Sequence, residues 1–333
     1  MGKKYNQAKL SKGKSKKNTV IAFAIAAIAA GIIIAYFTNS NNNGTTVDNR
    51  DLLVGPWMDV HGVGVFLSGS DQSLYLATHN GLFKKNVGTG WTLVGSDTSD
   101  LMGFTISQAR EGVMYSSGHP PAMNGNLGFR KSTDGGITWQ TISYVKDRPV
   151  DFHAMTASAA DGNIIYGSPG GGSELFVTND EGRTWSTASI PDRIISLAAP
   201  PFDKNTIFAG TVSGLFSSND QGKNWKLIDD KLITGAVTAV GFTDSNTAYA
   251  FVILQQGDGF IVKSTDGGMT WVKTSGQIPN KPNAWNFVPG RSGEVYAIVM
   301  QKATFGGMAA SVYKSSDGGQ SWILEGTNNK SIL

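Results

Sequence analysis

Over most of the chain, apolar and aromatic residues fall in short runs separated by glycine and polar residues, as expected of strands joined by tight turns. Six runs carry an aromatic residue and lead into a glycine hairpin: LYLATHNGLF (74–83), MYSSGHP then LGFRKS (114–132), IIYGSPGGGSELFVT (164–178), TIFAGTVSGLFSS (206–218), AYAFVILQQGDGFIVKS (248–264) and VYAIVM then SVYKSS (295–316). Before each comes another apolar run, DVHGVGVF, MGFTIS, FHAMTAS, IISLAAP, VTAVGFT or AWNFVPG, which reads as an inner strand. One segment breaks the pattern. VIAFAIAAIAAGIIIAYF (20–37) is uncharged and continuously apolar, long enough for a helix to span a bilayer.

A short phrase punctuates the strands: STDGGITW (132–139), TNDEGRTW (178–185), SNDQGKNW (218–225), STDGGMTW (264–271) and SSDGGQSW (315–322), with tryptophans 46, 40, 46 and 51 residues apart. That period is too long for one hairpin and suits a four-stranded propeller blade. Each Asp (Asp134, Asp180, Asp220, Asp266, Asp317) can accept backbone N–H groups within a turn. The Gly two residues on supplies the positive φ such a turn needs, and the Trp then opens the next strand and buries its ring between sheets. The first unit has a degenerate phrase, KNVGTGW (85–91), without the Asp. The expectation is an all-β, six-bladed β-propeller over 53–327, preceded by one N-terminal transmembrane helix. Seven blades are the alternative if DLLV (51–54) or TNNKSIL (327–333) adds a closing strand.

These phrases resemble the Asp-box, or bacterial neuraminidase repeat, of the sialidase superfamily and of sortilin-like propellers. The resemblance implies that the five Asp residues are structural and lie on the face away from any ligand site. It does not extend to sialidase chemistry, because the Arg-Ile-Pro phrase is missing. Of the seven arginines, only Arg148 and Arg193, in loops leading into inner strands, are placed to reach a ligand face.

The first fifty residues form a separate region. Seven lysines (Lys3, Lys4, Lys9, Lys12, Lys14, Lys16, Lys17) precede the apolar run, and the next basic residue is Arg50. The asymmetry predicts a cytoplasmic tail (1–19), an uncleaved signal-anchor helix (20–37), an Asn-rich stalk (38–52), an extracytoplasmic propeller (53–327) and a short tail (328–333). A cleaved signal peptide is the competing reading, but the apolar run continues past its Ala-x-Ala steps. With the seven tail lysines set aside, 21 of the 28 Lys and Arg remain against 25 Asp and Glu. Nothing in that balance suggests nucleic acid. The absence of cysteine excludes disulfides, thiol nucleophiles and thiolate metal ligands.

All four histidines fall in the first three units. His61 and His153 begin inner strands, and His79 and His119 lie in loops between second and third strands, which open on the same face of a propeller. Three inner strands start alike, Asp59-Val-His61, Asp100-Leu-Met102 and Asp151-Phe-His153, and period-two spacing puts both members of each pair on one side. Three readings stay open. The four imidazoles, with a carboxylate and Met102, suit zinc or copper. Asp59, Asp100 and Asp151 offer paired carboxylates for glycoside hydrolysis. Alternatively, His and Asp cap strand ends in a structural network. DLMGF, SGHP, THNGL and DFHAM look like motifs of bacterial and archaeal Asp-box propellers labelled glycosylhydrolases, which implies that the four histidines share a site without saying what it binds. Trp57 and Trp285 near inner-strand starts could stack on a glycan or pack between blades. GSPGGGS (167–173) reads as a flexible loop on the ligand face. A scaffold role with a protein ligand also fits, since photosystem II assembly factors are built from similar repeats.

Overall fold

The computed structural model describes residues 55–71, 73–85, 90–122, 124–228, 230–254, 259–279, 283–302 and 308–328. The expected anchor, its flanks and residues 329–333 of the C-terminal tail lie outside them; among the described residues, no helix is long and apolar enough to cross a membrane. Twenty-four strands form six antiparallel four-stranded sheets, each from four consecutive strands. The inner strands are Val60–Gly64, Asp100–Ile106, Phe152–Ala157, Ile194–Ala198, Ala236–Phe242 and Asn283–Pro289. Each packs against the next around the ring, and the sixth returns to the first. Six blades is therefore the count.

Six apolar clusters sit between neighbouring blades, and each contains one repeat tryptophan: Trp91, Trp139, Trp185, Trp225, Trp271 or Trp322. Trp139, for example, covers a core built from Phe66, Tyr75 and Leu82 of blade 1 and Leu101, Phe104 and Met114 of blade 2. The repeat phrase thus serves the joint between blades as well as its own hairpin. Past the mouth, the inner strands enclose an axial cavity of about 120 Å³, lined by Val63, Phe104, Met155, Leu197, Val240 and Phe287 among others.

Each box divides its turn N–H groups between two acceptors. In blade 5 the Asp266 carboxylate accepts the N–H groups of Met269 (3.1 Å) and Thr270 (2.9 Å) at the surface. The buried N–H is that of Gly268, and it goes to the Ser264 hydroxyl at 2.9 Å. Ser264 is 1% exposed and in turn donates to Asp266 at 2.8 Å. The same relay recurs in the other four boxes. Gly268 has φ +87°, which a side chain rarely adopts, and an added Cβ would lie 2.9 Å from the Phe208 ring. Hydrogen bonds led by that from Thr270 hold Asp266 down at about 2.

Among the described residues no strand is shared between the first and last blades, and Thr327 ends the outer strand of blade 6; DLLV (51–54) and residues 329–333, which the seven-bladed alternative needs, lie outside the described residues. Blades 1 and 6 are instead clasped by individual groups. Gly55 N–H donates to Thr327 O (3.1 Å) and Lys85 Nζ to Glu325 O (2.7 Å). Arg291 of blade 6 reaches into blade 1, donating to the carbonyls of Phe66 (2.8 Å), Ser68 (2.9 Å), Gly69 (3.0 Å) and Asp71 (2.6 Å).

Candidate functional site

In every blade, pairing between the inner strand and its neighbour skips one residue near the inner strand's start. The residues at which the register shifts are His61, Met102, His153, Ile195, Thr238 and Trp285. A bulge interrupts the ladder and re-aims side chains, so these six positions are equivalent points at the axial mouth. The residue before each bulge is apolar, and Val60, Leu101, Phe152, Ile194 and Val237 are buried between blades. Two residues before each bulge stand Asp59, Asp100, Asp151, Arg193, Ala236 and Asn283. In blade 4 the sequence step that most resembles Asp-x-His is Asp192-Arg193-Ile194, but the register puts Arg193-Ile194-Ile195 at the equivalent positions.

His119 ends the second strand of blade 2 and pairs directly opposite Asp100, while His79 lies in the tight turn after Leu74–Thr78 of blade 1. By the alternation of antiparallel strands these turns and the inner-strand starts share one end of the propeller; the boxes, between third and fourth strands, share the other. The four imidazoles do come to one end, but as two pairs. His61 Nε2 is 3.7 Å from Asp100 Oδ1, and His79 lies between two carboxylates, Nδ1 3.6 Å from Asp100 Oδ2 and Nε2 3.9 Å from Asp59 Oδ2. The His61 and His79 rings are 4.4 Å apart. His119 and His153 instead share Asp151 Oδ2, with Nε2 atoms at 3.3 and 2.8 Å.

Local devices hold these groups. Asp59 has a left-handed φ of +27°, and its carboxylate accepts the adjacent Val60 N–H at 3.1 Å. The Asn80 amide ties this loop to the His79 turn, accepting from Met58 N (2.8 Å) and donating to Pro56 O (3.3 Å). Ser117 fixes the start of blade 3: its hydroxyl accepts from Phe152 N (2.8 Å) and donates to Phe152 O (3.1 Å), between Asp151 and His153. Gly118, at φ +141°, lets the second strand approach Asp100, whose carbonyl a Cβ would meet at 2.0 Å.

Burial raises the carboxyls of both Asp59 and Asp100 above the ordinary range, with His79 acting against it. His61 is held well below the usual imidazole range by burial first, then by His79, His153 and His119. It is therefore a neutral imidazole, the form that binds a metal. Asp100 is 1% exposed and neither of its oxygens has a hydrogen-bond partner; the same is true of His61 Nε2 and Asp151 Oδ1. Buried polar atoms are ordinarily paired, so four orphans in one cluster require a reason. One ligand atom from each of Asp59, His61 and His79 falls within 4.8 Å of the others. Bonds of about 2 Å to a zinc-sized ion put neighbouring ligand atoms about 3.3 Å apart, so small side-chain movements would complete the set.

The remaining expectations divide. The four imidazoles stand as two carboxylate-centred pairs rather than around one point, and Met102, 8% exposed, is the bulge residue of blade 2. Trp57 is not presented to a ligand: it is 3% exposed and packed edge-on to Trp91, ring centroids 4.5 Å apart, in the core between blades 6 and 1. The Trp285 side chain lies outside the described residues. Arg148 is exposed in the turn Val145–Arg148, and Arg193 stands at the register position of the three carboxylates. Asn80 and Ser117, which position the site, were not anticipated; only the Asn-Gly turn hinted at the first.

A family profile described as BNR/Asp-box repeat matches residues 130–141, and no curated protein matches the sequence. The fold is similar to that of the GH74 xyloglucanase from Xanthomonas campestris (15% identity, TM-score 0.57, 82% of this chain and 46% of that one). It is also similar to the GH74 enzyme of Niastella koreensis (15% identity, TM-score 0.58, 82% and 46%) and to an ancestral GH74 enzyme (16% identity, TM-score 0.54, 86% and 40%). The chain spans less than half the length of these proteins, and at such identities the likeness shows the fold alone. Five relays of hydroxyl, carboxylate and glycine, each beside an interblade tryptophan in a ring of six sheets, identify the chain as an Asp-box β-propeller.

Proposed function

We propose that the protein is a membrane-anchored, extracytoplasmic Asp-box propeller that binds a transition-metal ion, zinc or copper, at the axial mouth of blades 1 and 2. The observation carrying this reading is Asp100, a carboxylate 1% exposed with both oxygens unpartnered and two imidazoles 3.6 and 3.7 Å away. An isolated buried charge costs several kcal/mol unless a cation or proton answers it. Asp59, His61 and His79 would hold the ion, with the Asp100 carboxylate, 3.7 and 3.6 Å from the two rings, as a further oxygen donor beside them. Such an ion supplies Lewis acidity and a water of lowered pKa. The anchoring half rests on the lysine-rich start and the apolar run 20–37.

Calorimetric titration of zinc and copper into the full-length protein tests the reading. Wild type should bind with an affinity that falls as pH drops through the histidine range near 6.5, and His61→Ala/His79→Ala should lose at least tenfold. Equal binding by the two proteins, or none by either, would refute it.

A second reading is favoured by the raised carboxyls of Asp59 and Asp100, since a buried carboxyl kept protonated is the acid a glycoside hydrolase needs. It requires cleavage of a glycan that survives chelation and disappears in both Asp59→Asn and Asp100→Asn.

A further inference from the structure

Extending the metal reading above, we propose that the mouth holds a second cation site, formed by His119, Asp151 and His153 across blades 2 and 3, with Asp100 the carboxylate common to both sites. The argument starts from one hydrogen bond. His119 Nδ1 lies 3.1 Å from the carbonyl oxygen of Gly125, which can only accept, so Nδ1 carries the proton. In the neutral ring, Nε2 is then a bare lone pair, aimed at Asp151 Oδ2 3.3 Å away. The same oxygen already faces His153 Nε2 at 2.8 Å. A lone pair facing a carboxylate oxygen at that range repels unless positive charge lies between them.

Other features agree. Backbone support at Nδ1 is the usual second-shell arrangement of a metal-binding imidazole. Nitrogen–oxygen separations of 2.8 and 3.3 Å put Asp151 Oδ2 at ligand-to-ligand distance from each imidazole, while the two nitrogens stand more than 4.8 Å apart, so the rings would have to swing toward each other about that oxygen to share an ion. Asp151 Oδ1 is buried without a partner, as are both oxygens of Asp100. Asp100 pairs opposite His119 across the ladder, which brings its carboxylate to the junction of the two halves. Three carboxylates would balance most of the charge of two divalent ions. Glycine at 170 keeps the site open, since a Cβ there would lie 3.0 Å from His153 Nε2. The pair Ser117 and Phe152 sets the spacing of the two halves, because that hydroxyl locks blade 3 to blade 2 between Asp151 and His153.

The test is stoichiometry with a magnetic readout on the full-length protein. Zinc content by elemental analysis after equilibration should be two ions per chain in wild type. It should be one in His119→Ala/His153→Ala and one in His61→Ala/His79→Ala. Loaded with Mn(II), the wild type should give an exchange-broadened electron paramagnetic resonance signal that sharpens to an isolated six-line pattern in either double variant. Gly170→Ala, which leaves every ligand in place, should weaken the second equivalent by about tenfold and spare the first. One ion in the wild type, lost only with His61 and His79, would overturn the second site and leave the first. No ion at all would sink the metal reading as a whole. Two ions with an unbroadened signal would overturn the sharing of Asp100. If His119 proves doubly protonated by nitrogen-15 NMR in a metal-exposed sample, a proton rather than a cation answers Asp151, and the proposal fails.

Discussion

Replacing Asp100 by Asn separates the three meanings a buried His/Asp cluster can have. In the metal-free protein at neutral pH, Asp100 contributes a carboxyl that is 1% exposed and accepts no hydrogen bond at either oxygen. Its nearest neighbours, His61 and His79, stand at 3.7 and 3.6 Å, too far for a good hydrogen bond. Asn removes the charge at constant shape and gains two donors. Leaving a buried polar group unsatisfied costs about 1–3 kcal/mol, and more when charged, so Asp100→Asn should stabilise the metal-free protein by about 2 kcal/mol. For a domain of this size that corresponds to a rise in Tm of about 3–4 °C. The same change should abolish most of the stabilisation that added zinc gives the wild type, which by mass action is about 2.7 kcal/mol at a hundredfold excess over Kd. Calorimetric scans with and without zinc measure both. A metal-free variant less stable than wild type would show that Asp100 is a satisfied member of a structural network, and the reasoning from orphaned atoms would be wrong. A stabilised variant with zinc response intact would move the ion elsewhere.

Other consequences can be checked in parallel. Ser264→Ala leaves the buried Gly268 N–H unpaired and should cost about 1–3 kcal/mol, whereas Asp266→Ala removes surface bonds and should cost about 1 kcal/mol; urea denaturation giving the reverse order would contradict the relay. Arg291→Ala removes the donor of four bonds to blade 1 carbonyls and should cost about 2–3 kcal/mol, with hydrogen exchange rising first in blades 1 and 6; uniform exchange across all blades would argue against a seam. Because the folded state depresses His61 while the unfolded chain titrates near 6.5, the unfolded state binds the extra proton. Metal-free stability should therefore fall by up to about 1.4 kcal/mol per pH unit below 6.5. Asp59 and Asp100, raised in the folded state, act oppositely at lower pH, so His61→Gln should flatten the first decline, and an unchanged slope would refute the assignment.

How legible this was from the sequence follows from what each part of the fold demands. The box repeats are legible because a turn with positive φ at Gly136, Gly182, Gly222, Gly268 and Gly319 admits few residues, and because a tryptophan must cover each interblade core. The convergence of His61, His79, His119 and His153 is legible too, since antiparallel alternation alone assigns strand starts and second turns to one end. Period-two counting fails at the mouth itself, however, because all six inner strands carry a bulge there. Nothing in Asp-Val-His or Asp-Arg-Ile announces where the ladder will skip, so Arg193, rather than Asp192, aligns with the carboxylates.

The division into two carboxylate-centred pairs lies deeper still. It depends on the backbone of Asp59, on a Ser117 hydroxyl that bridges both polar groups of Phe152, and on a Gly125 carbonyl that decides which nitrogen of His119 is bare. Only the Ser117–Phe152 pair joins distant segments; the other two are local backbone geometries that composition does not announce. The ring repeats one blade six times, yet Asp and His coincide only at blades 1 to 3, while the equivalent positions in blades 4 to 6 carry Arg193-x-Ile195, Ala236-x-Thr238 and Asn283-x-Trp285. Stability needs the apolar residue between each pair, which is buried in blades 1 to 5. It does not need the pair itself, so chemistry there is free to vary, and the groups gathered on one side of the axis are those whose burial the fold alone does not explain.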